Sequence, residues 1–256
     1  MNIYLNKGLL GISTIAIVVA LVLVKLLLYY MGWEFLSANP LYTGAISGAI
    51  FIMGFLLAGV FSDYKETEKY PAELRSSLES IWEDAKALKA AHPGFDAEAV
   101  RQALLETLTE LFAGLSYEKH QTGLHSTFDA LEKLLPAFVE MEKLGMPANH
   151  VVRLKSERSA VKKILLRIQQ IQHTQFIPSV YFLAESIMVA IIGILLFLKS
   201  DGAPEFFVLF AFISYLLLFV ARLLPVLERP LRHDHHTFDD VSLFLLYELE
   251  EKLRKG

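Results

Sequence analysis

The sequence predicts an all-helical integral membrane protein, with four transmembrane helices and a helical domain inserted between the second and the third. Hydrophobic residues make up 54% of the 256 residues and charged residues 20%, whereas soluble domains hold about 45–50% and about 25%. The apolar excess is concentrated, because residues 8–24, 42–62, 186–198 and 206–221 contain no charged side chain. Runs of this kind, with their apolar flanks, are long enough to span a bilayer. Residues 62–176 are instead rich in charge, with apolar residues at helical spacing.

The same observations exclude other classes of protein. A freely soluble enzyme would not carry four such apolar runs, and a net charge of -4 without a basic stripe argues against nucleic-acid binding. The sequence contains no nucleotide-binding loop, zinc-binding helix or nucleophile elbow, so no enzymatic activity is predicted. The chain has no cysteine, which excludes disulfides and thiolate metal sites.

Loop signals separate the four predicted spans. The first covers residues 8–30, and its apolar run is longer than that of a cleaved signal peptide, so it is predicted to remain. Asn39-Pro40 marks the turn before the second span, residues 41–61. The third covers residues 177–198, and the fourth covers residues 206–224 and is closed by Pro225. The predicted organisation is therefore residues 1–61 (spans one and two), 62–176 (helical domain), 177–224 (spans three and four) and 225–256 (C-terminal tail and helix).

Charge bias predicts how the spans are oriented. Four spans place both termini and the inserted domain on one side of the membrane, and basic residues mark the cytoplasmic side. Lys25, near the other end of span one, is predicted to snorkel towards the surface. The loops on that outer side carry more acidic than basic residues: Glu34, Lys199, Asp201 and Glu205. The termini and the domain are therefore predicted to be cytoplasmic, in a cell inner membrane, on the evidence of Lys7, Arg222, Arg229 and Arg232.

The inserted domain is predicted to contain four helical segments. The first covers residues 64–92, and Pro71 marks a break or a first helical turn within it. Asp96 is a suitable N-cap for the second, which runs to residue 114. The third covers residues 126–144. Asn149 is predicted to cap the fourth, which leads into span three.

Span two carries the strongest pattern for a function. It is rich in small residues, which let transmembrane helices approach closely. Ser47, Phe51 and Phe55 are four residues apart and therefore share one helical face. In a closed ring of such helices the phenyl rings would face the axis, and hydrophobic constrictions of this kind gate pores by dewetting. The alternative is that both phenylalanines face lipid or another helix.

Three segments, in this order, carry a family resemblance. Residues 52–71 contain a Gly-Phe pair in span two and an aromatic, polar exit towards Pro71. Residues 171–181 contain a Thr…Ile-Pro-x-x-Tyr pattern at the start of span three. Residues 227–253 contain a proline, an acidic pair and a following helix, with Leu231 and Arg232 where Phe-Gly is usual. Together they resemble the bestrophins.

The resemblance implies a homopentameric ion channel in the lipid bilayer, with the second spans lining the pore. It places Ser47, Phe51 and Phe55 at the hydrophobic neck, although Ser47 stands where a bulky aliphatic is usual and would leave that level wider. Among permeant ions it favours anions such as chloride over cations. Eukaryotic bestrophins bind calcium at an acidic cluster, which by resemblance corresponds to Asp239 and Asp240. No other cofactor is predicted.

Two charges within the spans need an explanation, because an ionisable group inside a membrane is destabilising by several kcal/mol unless it is paired or hydrated. Glu185 lies in span three and Arg222 near the end of span four. They are predicted to form an ion pair, or Glu185 is a functional charge near the pore. In the tail, Asp239 is either a metal ligand or the N-cap of a helix that starts at Val241.

Two other functions remain open. One is an ion-driven energy transducer like the flagellar stator, which also has four spans with a helical insert. Its function relies on polar residues in spans three and four, and those spans are almost entirely aliphatic and aromatic here. The other is a membrane scaffold that conducts no ions.

Overall fold

The structure is a computed structural model that describes residues 7–116, 124–173, 178–227, 230–231 and 240–255. In this part of the chain every regular element is an α-helix and no β-strand occurs, which confirms the predicted all-α class. The helices are α1 Lys7–Tyr30, α2 Pro40–Thr67, α3 Tyr70–Ala91, α4 Ala97–Leu115, α5 His125–Glu132, α6 Leu134–Lys143, α7 Ala148–His173, α8 Pro178–Phe197, α9 Pro204–Leu227 and α10 Phe244–Lys255.

The helices form two compact units. Unit 1 contains α1, α2 up to Tyr64, α8 and α9. Unit 2 contains the end of α2 from Lys65 onward, α3 to α7, and α10. The apolar helices thus belong to one unit and the charged helices to the other.

Three helical segments of the described chain are long and apolar enough to cross a membrane. They are Leu10–Tyr30, Pro40–Ala91 (which contains α2 and α3) and Pro204–Leu227. The predicted third span corresponds to α8, in which Tyr181–Phe197 forms a shorter apolar helix. A membrane location follows from these helices, and four as the number of spans stays a prediction.

Apolar side chains from all four helices build the core of unit 1. On α2 the contributing residues recur at alternating steps of three and four, so they lie on one face of the helix. The core includes Val18, Ile46, Ala49, Met53, Val60, Ala184, Ile191, Leu195, Phe210, Leu217 and Leu224.

Local signals for helix starts are confirmed in two places. The Asp96 side chain accepts a hydrogen bond from the Ala99 backbone N–H at 3.0 Å, and α4 begins at the next residue. Pro71 lies in the first turn of α3, where its missing N–H has no partner to lose.

The predicted third segment of the domain is two helices instead of one. α5 ends at Glu132 and α6 begins at Leu134. Pro136 explains the break, because its ring would clash with the carbonyl of Glu132, four residues earlier, in a continuous helix. In the first turn of α6 the same proline is tolerated.

Three other boundaries differ from the predictions. Asn149 is not the cap of α7, because α7 begins at Ala148 and the Pro147 carbonyl accepts the His150 N–H at 2.9 Å. Pro225 does not close α9, which continues to Leu227. The last helix does not start at Val241, the start for which a cap at Asp239 was predicted, and Asp239 itself lies outside the described residues. That helix starts at Phe244, because the Val241 N–H donates to the Pro230 carbonyl at 2.7 Å and the segment before α10 is not helical.

Candidate functional site

Helix α2 has two different faces. Met53 is 1% exposed and lies in the core of unit 1, whereas Phe51 is 75% exposed and Phe55 72% exposed. At about 100° per residue, the two phenylalanines and Ser47 lie on the side opposite Met53. Ser47 is exposed as well. Neither ring is buried against another helix of the same chain, which leaves lipid, a second copy of the chain or the axis of an assembly as its surroundings.

The small residues of α2 are not used for packing inside the chain. A Cβ atom added at Gly44, Gly48, Gly54 or Gly59 would meet no neighbouring atom within 4 Å. Gly44 and Gly48 lie on the same face as Phe51 and Phe55. This face of α2 has the smallest side chains and therefore allows the closest approach of another helix. The rest of the described chain leaves it uncovered.

Lys25 does not snorkel, in contrast to the prediction. Its side chain is fully buried, and its Nζ lies 2.6 Å from Glu34 Oε1. The same ammonium donates to the Leu196 carbonyl at 3.0 Å and to the Leu198 carbonyl. Three acceptors match the three N–H bonds of the ammonium, so its burial leaves none of them unpaired.

Local backbone geometry brings Glu34 back towards Lys25. At the end of α1 the Trp33 N–H bonds the Leu28 carbonyl and the Gly32 N–H bonds the Tyr29 carbonyl, both at 3.0 Å. This is the Schellman arrangement, and it requires the positive φ of +69° that Gly32 adopts. The chain therefore reverses directly after α1, and Glu34 returns to the helix that carries Lys25.

Glu34 is held as a carboxylate. One of its oxygens accepts the Ser200 backbone N–H at 3.0 Å, and the Ser200 hydroxyl lies 2.9 Å from the other. Burial alone would raise the pKa of Glu34, but the hydrogen bonds from Lys25 and from Ser200 outweigh it. The pKa of Glu34 therefore lies below its ordinary value.

Arg222 and Glu185 do not form the predicted ion pair. The Arg222 Nη1 donates to the Ser13 hydroxyl at 2.9 Å and to the Thr14 hydroxyl at 3.2 Å, so the side chain is directed to α1. Glu185 has an exposed side chain next to the buried Ala184. The guanidinium reaches hydroxyls on one neighbouring helix, while the carboxylate points away from the core of unit 1.

The predicted calcium ligands are only partly placed. Asp239 lies outside the described residues, and Asp240 precedes the extended segment that leads to α10. Among the residues that the structure describes, no three His, Asp or Glu side chains come together as a metal site. A calcium site at Asp239 and Asp240 stays a prediction.

The group formed by Lys25, Glu34 and Ser200 was missed by sequence reasoning. The sequence holds a signal for part of this group. Lys25 lies in an apolar run, and Glu34 follows nine residues later, just after Gly32, a residue type that commonly ends a helix. Nothing in the sequence indicates Ser200 or the carbonyls of α8.

Of the comparisons with known proteins, the one with solved structures shows the fold. No protein-family model and no curated protein matches the sequence. A crystal structure of a bacterial bestrophin homologue from Klebsiella pneumoniae with one substitution matches at a TM-score of 0.76 and 13% identity, over 96% of this chain and 98% of that chain. Another structure of this homologue matches at 0.76 and 13%, over 95% and 97%. A further variant matches at 0.72 and 14%, over 95% and 97%. The chain therefore has the fold of a bacterial bestrophin homologue, as its motifs predict.

Proposed function

We propose that the chain assembles into a closed homo-oligomer, with five copies, that conducts ions through a pore lined by α2. The observation that carries this proposal is the open face of α2, with its glycines and its two exposed phenyl rings, on a helix whose other face is in the core. Identical copies in a ring would turn such a face towards the shared axis of a closed symmetric assembly. The fold likeness over nearly the whole chain supports a channel rather than a stator-like transducer or a scaffold.

The proposed neck consists of Phe51 and Phe55. Residues four apart are separated by about 6 Å along a helix axis, so five copies would give two stacked apolar rings. A wall of phenyl rings offers no hydrogen bonds, and a narrow pore with such a wall excludes water without being plugged. Ser47 would form a wider, wetter level one turn further along.

Ion preference and orientation belong to the same proposal. An apolar neck does not distinguish the sign of an ion, so anions are proposed on the family resemblance alone. The termini are proposed to be cytoplasmic because of the basic residues around the end of α9. A reporter fused after Gly256 that is active only in the periplasm would contradict this orientation.

The neck is tested by truncation of its rings. The double variant Phe51→Ala with Phe55→Ala is expected to raise single-channel conductance or open probability severalfold, because removal of both rings abolishes the dewetted barrier. Single-channel recording of reconstituted protein measures this, and size-exclusion chromatography is expected to show an unchanged oligomer.

Ile50→Ala is the matched control, because Ile50 is an exposed apolar residue of α2 about 100° away from Phe51. It is expected to leave the conductance as it is. Ser47→Ala is expected to change it much less than the double variant does. The assignment of Phe51 and Phe55 to the neck would be overturned by any of three results. These are a wild type that carries no current, a wild type that is monomeric, and a double variant that loses assembly without a gain in current.

A further inference from the structure

We infer that Lys25 and Glu34 are positioning residues that hold the start of α2 in place and thereby set the alignment of the pore rings. This inference rests on the proposed channel function. The group concerned, here called the anchor, consists of Lys25, Glu34 and Ser200 together with the carbonyls of Leu196 and Leu198. It joins the end of α1, the loop before α2 and the end of α8.

The charges and hydrogen-bonding groups of the anchor compensate one another. Lys25 is 0% exposed and the Glu34 side chain 9% exposed, and their charges compensate each other at 2.6 Å. A buried ion pair is tolerated only where the remaining hydrogen-bonding groups are satisfied. Here the carbonyls of Leu196 and Leu198 satisfy the ammonium and Ser200 satisfies the carboxylate.

The Lys25 ammonium holds the end of α8. The last carbonyls of a helix lack partners within the helix, and they carry the negative end of its dipole. The Lys25 ammonium binds the carbonyls of Leu196 and Leu198, at the point where α8 ends. The Phe206 ring of α9 lies 4.9 Å from the same nitrogen, a cation–π contact that adds a third helix.

A short segment with fixed backbone hydrogen bonds leads from the anchor to α2. Leu36 follows Glu34 by two residues, and its N–H bonds the Phe197 carbonyl at 3.1 Å while its own carbonyl accepts the Lys199 N–H at 2.8 Å. Asn39 then caps α2 through the Tyr42 N–H at 3.1 Å. Only residues 37–38 separate the fixed backbone from this cap.

Within one chain, little else holds the first turn of α2. Leu41 is 76% exposed, and Pro40, Thr43 and Gly44 are exposed as well. Tyr42 is only partly buried, and the first buried side chain of α2 is that of Ala49. Within one chain, the position of the first turn is therefore determined by the anchored loop more than by packing, and a shift there tilts the face that carries Phe51 and Phe55.

The aromatic side chains around this anchor are typical of a membrane surface. Tyr30, Trp33 and Phe35 are all exposed and flank Glu34 in sequence. Tyrosine and tryptophan are enriched at the interface between membrane and water. The anchor thus lies at the mouth of the proposed pore rather than at its centre, so its effect on the neck acts through α2.

The test uses the fact that the chain has no cysteine, so that one introduced cysteine is a unique site for a spin label. Leu41→Cys places a label on the first turn of α2, and Ser62→Cys places one on an exposed position near its other end. Distances between labels of neighbouring copies are measured by pulsed electron resonance. Glu34→Gln, which keeps the shape and removes the charge, is expected to broaden or shift the Leu41 distances and to leave the Ser62 distances unchanged.

Single-channel conductance of the unlabelled variant is the second readout. Glu34→Gln is expected to change it about twofold or to introduce subconductance levels, because the rings lose their alignment. Glu68→Gln, which removes the carboxylate of an exposed ion pair with Lys65, is the matched control and is expected to leave both readouts unchanged. An assembled Glu34→Gln protein with wild-type distances and wild-type conductance would overturn the inference.

Failure of the anchor and failure of the channel are distinguishable. A wild type without current contradicts the proposed function, while the label distances still test the anchor. If Glu34→Gln reduces assembly, Ser200→Ala removes only the hydroxyl donor and is expected to broaden the Leu41 distances to a smaller extent. An unchanged distribution in that milder variant would contradict the positioning role.

Discussion

Lys25 and Arg222 are both cations on apolar helices, and their surroundings in unit 1 differ. Lys25 is fully buried and bound to a carboxylate and two carbonyls. Arg222 is half-buried and donates to two hydroxyls on α1. A cation that is fully removed from solvent needs a compensating charge, whereas one that keeps access to the surface can rely on neutral acceptors. We therefore expect the two sites to respond differently to substitution.

The largest effect is expected for Lys25→Met. This change leaves Glu34 buried without its counter-charge, and loss of one partner of a buried ion pair lowers stability by about 3–5 kcal/mol. Unfolding in detergent by heat or denaturant measures the loss. Lys65→Met breaks an ion pair whose side chains are 54% and 50% exposed, and it is expected to lower stability by at most about 1 kcal/mol. Equal losses in the two variants would contradict the comparison.

A second variant tests whether charge compensation or packing matters at Lys25. In Lys25→Met with Glu34→Leu both charges are replaced by apolar groups, and such replacements are often neutral for stability. The double variant is expected to recover most of the stability lost in Lys25→Met, measured in the same unfolding experiment. A double variant as unstable as the single one would show that the loss comes from the shape of the site.

Acidification is expected to remove the contribution of the Lys25–Glu34 ion pair to the stability of the fold. The pKa of Glu34 is lower in the folded chain than its ordinary value of 4.5, so the unfolded chain binds the proton more readily. The carboxylate therefore stabilises the fold above pH 4.5, and this contribution disappears as the pH falls through the folded pKa. Unfolding curves of wild type and Glu34→Gln, recorded from neutral to acidic pH, are expected to converge. Parallel curves would contradict the depressed pKa.

The smallest effect is expected for Arg222→Gln. The substitution removes a charge that has no carboxylate partner among the described residues, and glutamine can still donate to a hydroxyl. The expected loss is about 1 kcal/mol or less, the net value of a single hydrogen bond. Unfolding under the conditions used for Lys25→Met measures it. A loss as large as that of Lys25→Met would mean that Arg222 has an anionic partner in the assembled protein.

Features that depend on neighbours in sequence were predictable from the sequence. The apolar runs, the shared face of Phe51 and Phe55, the cap at Asp96 and the first-turn proline Pro71 all follow from helical periodicity or from the chemistry of a helix start. The break at Pro136 was also local, and it was missed because the apolar spacing continues across it. The motif resemblance to bestrophins agrees with the fold found over nearly the whole chain.

Only the tertiary structure decided how the charges of unit 1 are compensated. Lys25 meets carbonyls more than 170 residues further along the chain, and Arg222 turns to hydroxyls on α1 rather than to Glu185. A sequence shows that a charge lies in an apolar run, and physical chemistry then requires a partner or access to water. The sequence does not show which loop reaches that charge. The partner depends on how α1, α8 and α9 pack and on the reversal of the chain at Gly32.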